Sequence, residues 1–162
     1  MFNVLFLVRE IETARGAASA GQFLAKCLPA LLRGLATIPR GPGGQALAYN
    51  SPDSPAVGYG FEDTVVKTGA LTFTSLLALE ASATLCHAVR HHAAQDRGAG
   101  ESLCAWARNI TAELGPALWV DSVGMFRPAT GMEGNLTDVW GACIAGYYPS
   151  LLPPGGTLST NR

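Results

Sequence analysis

The stretch from Gly58 to Gly69, GYGFEDTVVKTG, gathers Glu62, Asp63 and Lys67 beside the rings of Tyr59 and Phe61. Only 14% of the 162 residues are charged, so such a cluster stands apart from the rest of the chain. Asp63 and, farther along, Asp138 each directly precede an apolar run, with Thr64 and Thr137 adjoining. One reading is helix capping, in which the carboxylate accepts a first-turn N–H and meets the positive end of the helix dipole, for about 1 kcal/mol. The other is carbohydrate chemistry. Cleaving a glycosidic bond takes a protonated acid at the leaving oxygen and a second carboxylate that activates water or attacks carbon. Both readings stand for Asp63 and Asp138.

The neighbours of Asp63 carry the same two meanings. Lys67, four residues on, either pairs with Asp63 along a helix or donates to a ligand hydroxyl and keeps Asp63 ionised. Glu62 and Asp63 are adjacent at an expected helix start, so at most one can face a pocket. Tyr59, Phe61, Trp119 and Trp140 offer flat apolar faces that suit either a pyranose ring or a core.

Other clusters carry less chemistry. Cys86, His87, His91 and His92 lie close together, but HAVRH lacks the glutamate of a zinc-hydrolase helix and no third ligand is evident, so no metal is expected. GPGGQ at 41–45 lacks the Lys-Ser/Thr of a phosphate loop, and no cofactor is implied. Cys27, Cys86, Cys104 and Cys143 form no C-x-x-C and read as four free thiols. The sequons at Asn109 and Asn135 read as incidental in a chain without a recognisable secretory leader.

Composition narrows the class. Apolar residues make up 48%, and 11 basic residues balance 12 acidic ones without forming a stripe. Nucleic acid and anionic membrane surfaces are therefore poor partners. No run approaches the ~18 apolar residues of a membrane span. A soluble cytoplasmic protein is the expectation.

The elements that must position these residues follow from periodicity. Helices are expected over 2–15, 20–36 (Ser19 its N-cap, Pro29 inside it), 64–92, 101–114 and from about 138. The third is apolar all round between Lys67 and Glu80, the mark of a buried helix. The fourth is amphipathic, with Leu103, Ala107, Ile110 and Leu114 in one stripe and Glu101, Arg108 and Glu113 facing water, and Gly115-Pro116 is expected to end it. Residues 37–60 form a Pro/Gly-rich loop with a short strand near 46–49. Residues 118–126 read as a β-hairpin around Asp121–Gly124. Asp63 and Asp138 fall at equivalent points of a two-copy repeat of extended piece, polar loop and buried helix.

A buried helix, an amphipathic one, a hairpin and a second buried helix suit two concentric rings of helices. The residues point the same way. YGFEDTVVKTGALTFTSLLALEA, then LWVDSVGMFRPATG, then DVWGACIAGYY resemble the six-hairpin glycosidases, over about residues 58–148. The resemblance departs at Leu118-Trp119-Val120-Asp121, where the family's L-W-D is one residue out of step, and at Ala142-Cys143. It implies an all-α fold: a partial α/α toroid of about two and a half helical hairpins over 1–150, with short β-hairpin connections and a disordered tail at 151–162. It also implies a glycoside hydrolase-like protein acting on carbohydrate. Asp63 and Asp138 would be the catalytic pair, and Tyr59, Phe61, Glu62, Lys67, Trp119, Asp121 and Trp140 would contact the sugar. The rival expectation is a catalytically inactive truncated fragment or a helical protein-interaction module, whose uncovered apolar faces predict self-association.

Overall fold

The computed structural model describes residues 2–55, 66–132 and 136–148. It is an all-α chain with short β connections. Its helices among the described residues are α1 (Phe2–Arg15), α2 (Ala17–Ala36), α3 (Thr72–His92), α4 (Arg97–Leu118) and α5 (Val139–Ala145). Two-residue strands join them: β1 (Tyr49–Asn50), β2 (Gly69–Ala70), β3 (Trp119–Val120) and β4 (Met125–Phe126). No helix among the described residues is long and apolar enough to cross a membrane. The chain divides into two compact units, Met1–Ile38 with Leu79–Arg108, and Pro39–Ala78 with Asn109–Arg162.

In the first unit α2 buries the stripe Ala20, Leu24, Leu28, Leu31 and Leu35, the three- and four-residue spacing of an amphipathic helix. Pro29 is tolerated because it lies on the exposed face with Ala25, whose carbonyl loses its helical donor where water can replace it. The expected cap at Ser19 is not used. α2 starts three residues earlier, at Ala17, and the Ser19 hydroxyl donates back to the Arg15 carbonyl at 3.1 Å. No residue of α3 is exposed before His87, which bears out the buried helix read from the sequence.

Two contacts fasten α3 within this unit. His92 Nε2 lies 3.3 Å from the Glu12 carboxylate on α1. Cys86 and Cys104 are joined by a disulfide from α3 to α4, with Cα atoms 5.3 Å apart, so these two cysteines are not the free thiols expected. Sequence spacing could not have shown it, because four cysteines offer six possible single bridges and spacing alone favours none. Cys27 and Cys143 remain free.

The second unit is organised by extended backbone. β1 pairs antiparallel with β2, Tyr49 opposite Ala70 and Asn50 opposite Gly69. The Leu71 amide donates to the Ala48 carbonyl at 2.8 Å, and the Thr72 amide to that of Pro128 at 3.0 Å. Thr130 and Gly131 donate in turn to the carbonyls of Ala70 and Thr68. Residues 46–50, 68–72 and 126–131 thus form one lattice. This is why α3 begins at Thr72 and not at residue 64: helix formation across 66–71 would surrender these bonds, and Val66, Thr68 and a Gly69 at φ +83° already disfavour it. Gly69 is also required sterically, since a Cβ there would run into the Thr130 hydroxyl.

The expected hairpin is present, with Trp119 opposite Phe126 and Val120 opposite Met125. α4 runs past the expected stop at Gly115-Pro116 and ends at Leu118, because a proline one turn from the C-terminus costs a single helical hydrogen bond.

Replacing Cys86 and Cys104 together by alanine should lower stability by about 3 kcal/mol, the loop-closure term for a span of this length. Urea denaturation of the oxidised protein and of the double variant measures it.

Candidate functional site

A concave feature suited to a ligand lies wholly in the second unit. It is a cavity of about 530 Å³ lined by Pro42, Gln45, Leu47, Tyr49, Ala70, Ala112, Glu113, Pro116, Ala117 and Thr130. Three elements build it: the short turn at 42–45, the β1–β2 pair, and the last two turns of α4. Leu47 and Ala70 are buried and form its apolar floor, while Gln45, Ala112, Pro116 and Thr130 are exposed at its rim.

Glu113 is the one carboxylate in the lining. The sequence placed it on the water-facing side of its helix. Instead it is half-buried, and its Oε2 accepts the Ala46 amide at 2.8 Å. That bond holds the extended segment 46–50 against α4. Behind it the Ser75 hydroxyl accepts the Ala48 amide at 3.0 Å, and the Thr130 hydroxyl accepts the Ala70 amide at 2.9 Å. The walls are therefore held by side chains accepting backbone donors that a short strand cannot satisfy alone. Pro116 adds a further acceptor. It has no N–H to give the Ala112 carbonyl, its partner in an unbroken helix, and both residues line the cavity.

The described residues among those singled out in the sequence lie elsewhere. Asp138 is 5% exposed and caps α5: its Oδ1 accepts the Gly141 amide at 2.8 Å, and its own amide donates to Phe126. Gly141, the glycine of the DVWG run, must be a glycine because a Cβ would press on both the Asp138 carboxylate and Thr72. The Trp119 ring meets Phe126 edge to face, centroids 5.1 Å apart, in a packing role. Asp121 is exposed at the hairpin turn, and Trp140 is 66% exposed on α5. Lys67 precedes β2, where its carbonyl accepts from the Asn50 side chain. It does not stand on α3, so no helical spacing relates it to Asp63. Tyr59, Phe61, Glu62 and Asp63 lie outside the described residues, but the start of α3 at Thr72 removes Asp63 from the cap position of that helix. Of the described ones, Lys67, Trp119, Asp121, Asp138 and Trp140, none lines the cavity.

Among the described residues no three His, Cys, Asp or Glu side chains come together as a metal site. The His87 and His91 rings lie 4.2 Å apart, both exposed, and Cys86 is taken by its disulfide.

The lining residues were missed because periodicity identifies faces that are buried, and a half-buried glutamate on a polar helix face has no periodic signature. The one available signal was Pro116 three residues after Glu113, which marks an interrupted carbonyl ladder. No protein-family model matches the chain, and no curated protein matches it in sequence.

Glu113→Ala leaves the buried Ala46 amide without its acceptor and should cost about 1–3 kcal/mol, whereas Glu113→Gln keeps an acceptor and should recover most of that. Chemical denaturation of the two variants separates them.

Proposed function

We propose that the chain is a glycoside hydrolase-like, carbohydrate-binding protein of the six-hairpin type, and that the cavity beside Glu113 receives a sugar residue. The cavity is the observation that carries this reading. Its volume, about 530 Å³, lies in the range of small-molecule sites. A pyranose presents C–H faces and a rim of hydroxyls. The apolar surfaces of Leu47, Ala70, Ala117 and Pro116 suit the faces, and the half-buried Tyr49 offers a ring to stack on one. The Glu113 carboxylate and the Ala112 carbonyl accept from hydroxyls, and the Gln45 amide both donates and accepts. The lining holds no cationic side chain, which favours a neutral ligand over a phosphorylated or uronic one.

Hydrolysis asks for more than binding. It needs two carboxyl groups flanking the bond, about 5–5.5 Å apart for retention and about 6.5–9.5 Å for inversion. Glu113 supplies one such group. Asp138 is committed to its cap, so Asp63, a few residues before the cavity-lining strand β2, is the partner to test. Sugar binding is the activity this chain carries by itself, and glycosidic cleavage is its further expected activity.

Calorimetric titration with neutral oligosaccharides should give saturable binding that Glu113→Ala weakens about tenfold or more, the worth of a hydrogen bond to a charged acceptor. Unchanged affinity in that variant would remove the cavity from the account. With aryl glycosides, Asp63→Asn should abolish turnover. Asp138→Asn, which keeps a capping oxygen, should leave it largely intact.

A further inference from the structure

We propose that Asn109 carries an N-linked glycan. The sequon Asn109-Ile110-Thr111 sits within α4, where Ile110 is fully buried and Asn109 is exposed beside Arg108. Helical geometry thus splits the motif: the residue to be modified faces solvent and the middle residue anchors the helix. Transfer to a sequon precedes folding, so the helix does not obstruct it, and afterwards only outward projection is required.

A second, independent observation concerns the compartment. Cys86 and Cys104, both buried, form a disulfide, and their Cα separation of 5.3 Å lies within the span of unstrained bridges. Structural disulfides persist in oxidising compartments and are rare where glutathione and thioredoxin keep thiols reduced. Sequons are glycosylated on the same route. The sequence by itself reads as four free thiols and two incidental sequons. The pairing supplies that context and argues against the cytoplasmic location expected from the sequence.

The chemistry closes on named reactants. The Asn109 amide nitrogen bonds to the anomeric carbon of a polyprenyl-diphosphate-linked oligosaccharide. The carbon–oxygen bond to the diphosphate breaks, the amide loses one proton, and polyprenyl diphosphate leaves. In the disulfide, two thiols give up two protons and two electrons to an oxidising disulfide by thiol exchange. Neither step depends on the sugar-binding cavity.

The glycan would stand one helical turn before Ala112 and Glu113, on the same face of α4 and next to the rim of the cavity. The other sequon, at Asn135, is the internal comparison. Protein isolated from the cells that make it should be treated with peptide N-glycosidase in heavy-oxygen water and digested without reduction. The expected result is heavy-labelled aspartate at position 109 together with a linked Cys86–Cys104 peptide pair. Unmodified Asn109, or label confined to position 135, would overturn the assignment. Thr111→Ala, which leaves Asn109 in place, should abolish the label at 109 while the disulfide persists. Label surviving in that variant would equally overturn it.

Discussion

Backbone donors that no helix can satisfy are the constraint on which the second unit depends. Three extended segments, 46–50, 68–72 and 126–131, are each too short to be stable strands, and an isolated pair of such strands is marginal in water. They hold because each lends hydrogen bonds to the next and because three side chains complete the pattern. Ser75, Glu113 and Thr130 accept the amides of Ala48, Ala46 and Ala70. The lattice decides where α3 starts. It also sets the register in which Tyr49 and Ala70 come to line the same cavity as the last turns of α4.

Much of this was legible in the sequence where a single physical rule dominated. The leucine stripe of α2 and the unbroken apolar run of α3 are burial patterns, and burial is what hydrophobic periodicity reports. The hairpin at 119–126 follows from two apolar pairs around a turn ending in Gly124, which adopts φ +69°. What escaped notice depended on partners distant in the chain. Residues 66–71 have no alternation to announce a strand, and they are extended because of Ala48 and Pro128. Glu113 reads as a solvated helix residue until the Ala46 amide is placed beside it. The Cys86–Cys104 bridge is a fact of how α3 and α4 meet. The DVWG run was half legible: capping was one of the two readings open for its aspartate, while the glycine that lets it pack against Thr72 went unexplained.

The proposed function draws on two separate things, the glycosidase resemblance and the cavity. The resemblance rests on motif residues, several of which serve the scaffold: Gly69 admits Thr130, Asp138 caps α5, and Gly141 clears space for both Asp138 and Thr72. A motif can mark a fold because its residues hold that fold together, without those residues touching a ligand. The cavity lies instead beside Glu113, at the place where α4 loses a helical hydrogen bond to Pro116. Glu113 and Thr130 belong to both lattice and cavity, each accepting a backbone amide and lining the concave surface, whereas a change in Ser75 would reach the cavity only through the lattice.

Amide hydrogen exchange tests this account most directly, because the lattice makes a statement about individual N–H groups. The amides of Ala46, Ala48, Ala70 and Thr130 should exchange slowly in the free protein, as slowly as the core of α3, and slower still in the presence of a bound neutral oligosaccharide. Exchange of those four amides at the rate of open loops, unchanged by sugar, would contradict it.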